Sequence, residues 1–279
     1  MSLRAEAFHR RVQRYGWDRA VEDYARYWEP VLLHCAQRAV AAVQPLAGEH
    51  ALDVACGDGA ATILLAQAVG PSGAALGVDL SERMVEAAGE RSAALGLANA
   101  HFARMDAEEL DIPTGSQDLA TCVLGLMYPA DPAAAIAELF RVLRPGGRCG
   151  AVVWGRREEC GWRDIFPIVD ARVESEVCPM FFALGAQDAL AAAMRRAGFP
   201  HVRDERWQEP LLFDSAEAAC GAALAGGPVA LAYGRFDAAT REAVSTEYLA
   251  SIEPYRDGAA YTVPGEFVLA YGLKGDSTA

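Results

Sequence analysis

The chain has 279 residues, 52% of them hydrophobic, and a formal net charge of −13 at pH 7. That is enough apolar material for the core of one large domain. The acidic balance disfavours a nucleic-acid substrate, because the arginines are scattered or sit in short solvated pairs such as Arg10–Arg11, Arg156–Arg157 and Arg195–Arg196 rather than in a basic patch.

The opening stretch, MSLRAEAFHRRVQRYGWDRA, is charged and has no apolar centre, so it does not read as a signal peptide. No segment approaches the roughly 20 uninterrupted apolar residues of a membrane span. Seven cysteines (Cys35, Cys56, Cys122, Cys149, Cys160, Cys178 and Cys220) form no CxxC and no zinc-like Cys/His spacing. A reduced, cytoplasmic chain without a metal site is expected.

Residues 3–44 carry apolar and aromatic positions at helical spacing, including Tyr15, Trp17, Tyr24, Trp28 and Leu32, and end at Pro45 and Gly48. Short apolar runs then alternate with helical stretches. HALDVA (50–55) reads as a first strand and GAATILLAQAV as the helix after it. AALGVDL reads as a second strand, followed by a helix capped by Ser81. AHFARMD and DLATCVLGLMY read as third and fourth strands. DPAAAIAELFRVL is a helix, RPGG a turn and RCGAVVWG a fifth strand.

After Gly155 the alternation breaks. Residues 156–185 read as an inserted helical piece, 186–199 as a helix, HVRDERWQEPLLF as a strand interrupted at Glu209-Pro210, 214–252 as helices and GEFVLAYGLK as the last strand. Alternating units of this kind predict an α/β fold: a Rossmann-like, doubly wound, seven-stranded and mostly parallel sheet with helices on both faces. We divide the chain into an N-terminal helical cap (1–46), a binding core (47–155) and insertion or lid helices with the remaining strands (156–279), all in one continuous domain.

The loop Asp53-Val54-Ala55-Cys56-Gly57-Asp58-Gly59 joins the first strand to its helix. Its glycines allow close backbone approach and positive φ. The helix behind it directs free N–H groups at whatever binds. From Gly57 the pattern is G-x-G-A-A-T, lacking the third glycine of a dinucleotide fingerprint. Asp53 and Asp58 would repel a pyrophosphate and would suit an adenosyl ligand carrying an ammonium and a sulfonium. Asp79 ends the second strand, twenty residues beyond Gly59 (79 − 59), where an acid meets ribose hydroxyls. Asp106 ends the third strand, where a carboxylate can accept from an adenine amino group.

With these motifs in order, the chain resembles a class I S-adenosylmethionine-dependent methyltransferase, and is similar to the type 11, ubiquinone/menaquinone-biosynthesis-like small-molecule branch. The resemblance covers residues 45–155 well and the flanks weakly. LDVACGDG matches the first motif with Ala55 in place of a glycine. The resemblance implies that Asp53 and the backbone of Ala55, Cys56 and Gly57 hold the methionine moiety of S-adenosyl-L-methionine. Asp79 would bind the ribose, Leu80 and Met84 the adenine face, and Asp106 and Ala107 the adenine edge. Val123 and Leu124 would pass close to the cofactor, and Trp17 and Tyr24, in WDRAVEDYARYW, would close over it.

Methyl transfer is an in-line displacement that needs positioning and water exclusion more than a fixed catalytic group. No base is assigned. His9 and His34 lie in the covering helices, His101 near the third strand, and His50 and His201 at strand starts. Tyr128 and Trp154, at the carboxyl ends of the fourth and fifth strands, are expected to line the acceptor pocket. Cys160 and Cys178 read as small buried residues, with a place in the acceptor site as the other reading.

Trp162, Phe166, Met180, Phe181 and Phe182 suggest an apolar or aromatic small-molecule acceptor, or else simple packing as a lid or homodimer surface. Two other readings stay open: an NAD-dependent oxidoreductase on a similar fold, and a non-catalytic adenosyl-binding protein.

Overall fold

In the computed structural model, which describes residues 3–173, 178 and 180–275, the apolar runs form one sheet. Its parallel strands are β1 (His50–Val54), β2 (Ala74–Asp79), β3 (Ala100–Arg104), β4 (Gln117–Val123) and β5 (Leu143–Trp154). The long strands β6 (His201–Phe213) and β8 (Ala260–Leu273) complete it, with the two-residue β7 (Arg256–Asp257) paired to β8. The order is β3-β2-β1-β4-β5-β8-β6, and β8 runs antiparallel to both β5 and β6. The mostly parallel, doubly wound sheet expected from the alternation is therefore what forms.

The central strands read as continuous apolar runs because helices cover them. Before β1 come α1 (Leu3–Asp23), a π-helical turn (Tyr24–Trp28) and α2 (Glu29–Val43), which crosses β4 and β5. The helix α3 (Ala60–Val69) lies on β1 and β2, and α4 (Glu82–Ala94) on β2 and β3. The Ser81 hydroxyl caps α4 by accepting from the Met84 N–H at 3.1 Å. Asp131 caps α5 (Pro132–Val142) through the Ala133 and Ala134 N–H groups, with Pro132 placed where its missing N–H costs nothing.

Four local readings change. The fourth strand stops at Val123 rather than running to Tyr128, because Leu124 turns the chain with φ +56°. The apolar run continues because that turn is itself buried. RPGG falls inside β5, where the pairing with β4 shifts register and Gly146 takes φ +75°. Pro210 does not interrupt β6. It lies opposite Pro264 on the outermost strand, where a missing donor breaks no ladder on the open side.

The stretch 156–185 is not a helical piece. Among its described residues the one α-helix is the six-residue α6 (Ile165–Asp170), set among 3₁₀ and other turns; residues 174–177 and 179 lie outside the described residues. Next come α7 (Ala189–Arg196), α8 (Ala216–Cys220), a second π turn (Gly221–Ala225), α9 (Ala230–Tyr233) and α10 (Ala238–Ile252). The two π turns pack together: Trp28 Nε1 donates to the Ala222 carbonyl at 2.6 Å, and a Cβ at Gly221 would lie 2.3 Å from the Tyr27 ring. Among the described residues no helix is long and apolar enough to cross a membrane.

Candidate functional site

The chain leaves β1 toward β2 on one side and leaves β4 toward β5 on the other. At that divergence the loops at the carboxyl ends of the strands separate and open a crevice. A cavity fills it, with about 1020 Å³ of space not occupied by atoms, its mouth included. Ala55 and Gly57 after β1 and Val123 and Leu124 after β4 form its two shoulders. Asp79, Leu80 and Met84 lie at the tip of β2, and Asp106 and Ala107 beyond β3. Trp17 and Tyr24 cover it, and Tyr128 and Trp154 bound the far side.

Two expected residues, Asp53 and Cys56, lie behind this wall. They border a smaller adjoining cavity with Asp58 and Glu29, sharing Ala55, Gly57 and Tyr24 with the main one.

Both shoulders are conformationally forced. Ala55 and Leu124 each sit at φ +56°, a region that favours glycine. Between them Gly125 has no room for a side chain, since an added Cβ would lie 2.4 Å from Ala55 Cβ and 2.9 Å from Cys122 Sγ. Gly125→Ala is accordingly expected to lower stability by about 1–3 kcal/mol, the scale of overpacking, and to push the β1 loop outward. Urea unfolding at neutral pH checks it, and unchanged stability would show that the two loops are not in register-locking contact.

The acids are held in different ways. Asp79 accepts from the Gly57 N–H through Oδ2 and from the Ser81 N–H through Oδ1, both at 2.9 Å. It thereby fixes the loop after β1 while keeping the outer lone pairs of a carboxylate. Burial raises its pKa, and these two N–H groups oppose the rise. Asp53 is 1% exposed and accepts from the hydroxyls of Thr62 (2.7 Å) and Thr121 (2.8 Å). Burial pushes it up to about 6 against both donors. Asp58 is likewise pushed up to about 6 by burial, opposed by Arg91, whose guanidinium lies 3.3 Å from it and 2.7 Å from Glu29.

The helix α1 closes the mouth, and beside the expected Trp17 it brings groups that the sequence pattern did not single out. Arg10, read above as part of a solvated pair, reaches across with Nε 2.9 Å from Asp106 and bonds Glu108 through its other end. Asp18 accepts from the Ser81 hydroxyl at 2.7 Å. Gln13 also lines the cavity, and Trp17 meets the Tyr24 and Tyr128 rings edge-on at 5.7 and 5.0 Å. Periodicity marks such positions as one face of a helix but cannot say what the face meets.

Of the histidines, His9 reaches the cavity. Its Nε2 lies 2.7 Å from the Tyr128 carbonyl, so that nitrogen carries the proton and donates. His34 packs on Trp207 and Phe267 instead, and His50, His101 and His201 do not line the cavity. Burial raises the phenols of Tyr24 and Tyr128 well above their usual range, so neither is a base at neutral pH. Cys160 is buried beside the Glu266 carbonyl and Cys178 accepts from Gln13 Nε2 at 3.4 Å, both with raised thiol pKa values.

The far half of the cavity is aromatic. Trp28, Trp154 and Trp162 meet pairwise at 4.9–5.8 Å, and Phe181 packs on Trp162 at 5.6 Å and on Tyr128 at 5.7 Å. Trp28 was legible only as a helical aromatic, because its place here depends on the π turn. The charged lining residues Arg10, Asp79, Asp106 and Glu108 all belong to the other half, around the tips of β2 and β3 and α1.

Known proteins resemble this chain in sequence and in fold. The profile of the methyltransferase domain family matches residues 51–147. Nocamycin O-methyltransferase of Saccharothrix syringae is 34% identical over 202 residues, covering 67% of this chain and 71% of that protein. Demethylmenaquinone methyltransferase of Listeria monocytogenes is 30% identical over 171 residues, covering 56% and 72%. Among solved structures, YcgJ of Bacillus subtilis aligns with a TM-score of 0.60 at 20% identity, over 88% of this chain and 99% of that one. The [4+2]-cyclase SpnF aligns at 0.55 with 21% identity, over 88% and 81%. The structural likenesses carry the fold alone, and one of them is named for a different reaction, so it is the sequence relatives that assign the chain. The protein belongs to the class I S-adenosylmethionine-dependent methyltransferases of the small-molecule type.

Proposed function

We propose that the cavity binds S-adenosyl-L-methionine along the strand tips and delivers its methyl group to a small organic acceptor seated in the aromatic half. The observation that carries this is the division of one cavity into an acidic side at the tips of β2 and β3 and an aromatic side beyond β4 and β5. The lining fits the cofactor and not a dinucleotide. Asp79 has outer lone pairs for ribose hydroxyls, the loop at Ala55–Gly57 bares its backbone, and a pyrophosphate would face Asp79 with the negative potential of Asp53 and Asp58 behind the loop and Arg91 already engaged by Asp58 and Glu29.

When bound, S-adenosyl-L-methionine supplies a methyl on a positively charged sulfur, a good leaving group that departs as S-adenosyl-L-homocysteine. The protein's own part is to orient and to enclose. The backbone of Ala55 and Gly57 would hold the amino-acid end, Asp79 the sugar, and Leu80, Met84, Asp106 and Ala107 the purine, with Asp53 and Cys56 behind the loop bordering the adjoining cavity. Val123 and Leu124 would press from the β4 side, under a roof of Trp17 and Tyr24. Tyr128 and Trp154 would guide the acceptor.

With both tyrosines held neutral, water exclusion and alignment supply the acceleration. The acceptor would then arrive already nucleophilic or lose its proton to solvent. In the same reading, residues 1–46 are a cap and 47–155 the binding core, while 156–279 contribute the acceptor wall and the outer sheet. The reaction is cytoplasmic and uses no nucleic acid.

Differential scanning fluorimetry tests it. S-adenosyl-L-homocysteine at about 100 times its Kd should add roughly 2.7 kcal/mol of stability, and NADH none, because only a ligand of the native state shifts unfolding. Stabilisation by NADH alone would replace this reading with an oxidoreductase. Binding of S-adenosyl-L-homocysteine, with no methyl transfer from S-adenosyl-L-methionine in any acceptor screen, would leave an adenosyl-binding protein.

A further inference from the structure

The outer edge of the sheet is long and bare. β6 pairs with β8 in unbroken register from His201 to Phe213, and among the described residues nothing pairs with its other side. The direction of its free backbone groups follows from β8. The Glu266 carbonyl accepts from the Gly155 N–H and the Pro264 carbonyl from the Gly161 N–H, so both point away from β6. Opposite them, Gln208 and Pro210 turn their own backbone groups outward, and alternation extends this to Arg206, Asp204 and Val202. An open row of this length is a template for another strand. Bulges and lysines are common ways to blunt such a row, and β6 has neither.

Its charges suit one particular strand. Arg203, Glu205, Trp207 and Glu209 alternate onto the face met by α2, where Arg38 bonds Glu205 at 3.2 Å and lies over the Trp207 ring at 4.6 Å. Among the described residues Arg203 and Glu209 have no side-chain hydrogen bond or ion pair. They stand at equal distances either side of Arg206 (206 − 203 = 209 − 206).

We infer that β6 pairs antiparallel with β6 of a second copy of this chain about a two-fold axis at Arg206, so that Arg203 of each copy meets Glu209 of the other. A two-fold contact of identical strands makes every such pair twice. Arg203 and Glu209 would face each other at positions outside the hydrogen-bonded pairs, where cross-strand side chains come closest. Asp204 then meets Gln208, while Val202 and Pro200 meet Pro210 and the 60% exposed Leu212. The two Arg206 side chains do not collide on the axis, because each is drawn inward to Glu266 and to the Gly185 and Gln187 carbonyls. Pro210 forfeits one bond at each end, and its carbonyl still accepts from Val202.

The neighbouring registers are worse. Centring on Trp207 sets Glu205 against Glu209. Centring on Glu205 sets Arg203 on Trp207, which Arg38 already covers. The aromatic stretch offers no rival surface, since Trp162, Phe166 and Phe181 are turned inward at 1–4% exposure.

Sedimentation velocity on the full chain, from about 1 to about 100 μM, should show a concentration-dependent dimer. Arg203→Glu and Glu209→Arg should each raise the dimer Kd at least tenfold, because each sets like charges across the axis twice. An equimolar mixture of these two variants should dimerise within about threefold of wild type, since every crossing pair is again an arginine with a glutamate. Misfolding cannot produce that rescue. In the wild type, amide exchange over residues 202–208 should slow as the dimer forms, a readout that needs no variant. A wild type that stays monomeric at about 100 μM, a dimer that neither charge reversal weakens, variants that fail to rescue each other, or exchange at 202–208 unchanged by dimerisation would each overturn the inference.

Discussion

Asp79→Ala is expected to weaken S-adenosyl-L-homocysteine binding by roughly 1–3 kcal/mol, about 5- to 150-fold, on the scale of deleting a charged hydrogen-bond partner. Two losses combine. The carboxylate that would accept from ribose hydroxyls disappears. So does the clamp on the loop, because the Gly57 and Ser81 N–H groups lose their acceptor. Gly57 sits at φ +54° beside Ala55 at φ +56°, and a loop in that conformation relaxes once its anchor is gone.

Asp79→Asn separates the two losses. An amide keeps one accepting oxygen, so the loop stays partly anchored while the charge is lost, and its affinity should fall between wild type and alanine. Isothermal titration at pH 7.5 measures all three. Equal affinity for wild type and Asp79→Ala would remove Asp79 from the cofactor site and leave it a purely structural cap.

How far the sequence speaks for itself is clear from particular residues. Asp79, Asp106, Ala55 and Gly57 were legible because each ends or follows a strand, and strand ends in a parallel sheet converge on one edge. Nothing beyond alternation was needed to bring them together. Asp53 was legible in position but not in environment. It precedes the loop as expected, yet it points to Thr62 and Thr121 rather than into the main cavity. A one-residue difference along a strand reverses the face, and the motif does not say which residue leads.

Arg10 and Trp28 were not legible. Arg10 meets Asp106 across 96 residues of sequence (106 − 10), and Trp28 is turned toward Trp154 and Trp162 by a π turn. A single π turn inserts one residue into a 3.6 period, too little to register in a pattern of apolar positions. The stretch 156–185 misled for the opposite reason. Its aromatics recur at spacings a helix would use, but they fold inward through tight turns to build one wall of the cavity.

Asp53→Asn should make the apo protein more stable and the cofactor complex weaker. The stability sign follows from linkage. Burial raises the folded-state pKa of Asp53 from an ordinary 3.8 to about 6. Between those two values the folded protein holds a proton that the unfolded chain has released, so stability falls as pH rises through this window. Above pH 6 the full penalty of an ionised buried carboxylate is present, on the order of 2–3 kcal/mol at 1.36 kcal/mol per pKa unit. Below about pH 4 it is absent.

Asparagine carries no such penalty at any pH, and the site can accommodate it. Its oxygen accepts from one threonine, its amide donates to the other, and the displaced Thr121 hydroxyl can turn to the Leu52 carbonyl 3.5 Å away. The variant should therefore exceed wild type in urea unfolding at pH 8 by about 1–3 kcal/mol, and the gap should close toward pH 4.5. Its affinity for S-adenosyl-L-methionine should fall on the order of tenfold, since the negative potential behind Ala55 and Gly57 is what would favour an ammonium there. A site that kept a destabilising buried charge for the sake of a cationic ligand would be the trade of stability against function seen when activity depends on strained or desolvated groups. A variant that is no more stable than wild type at pH 8, or one that binds the cofactor equally well, would show that Asp53 is a neutral bracket for two threonines and has no part in binding.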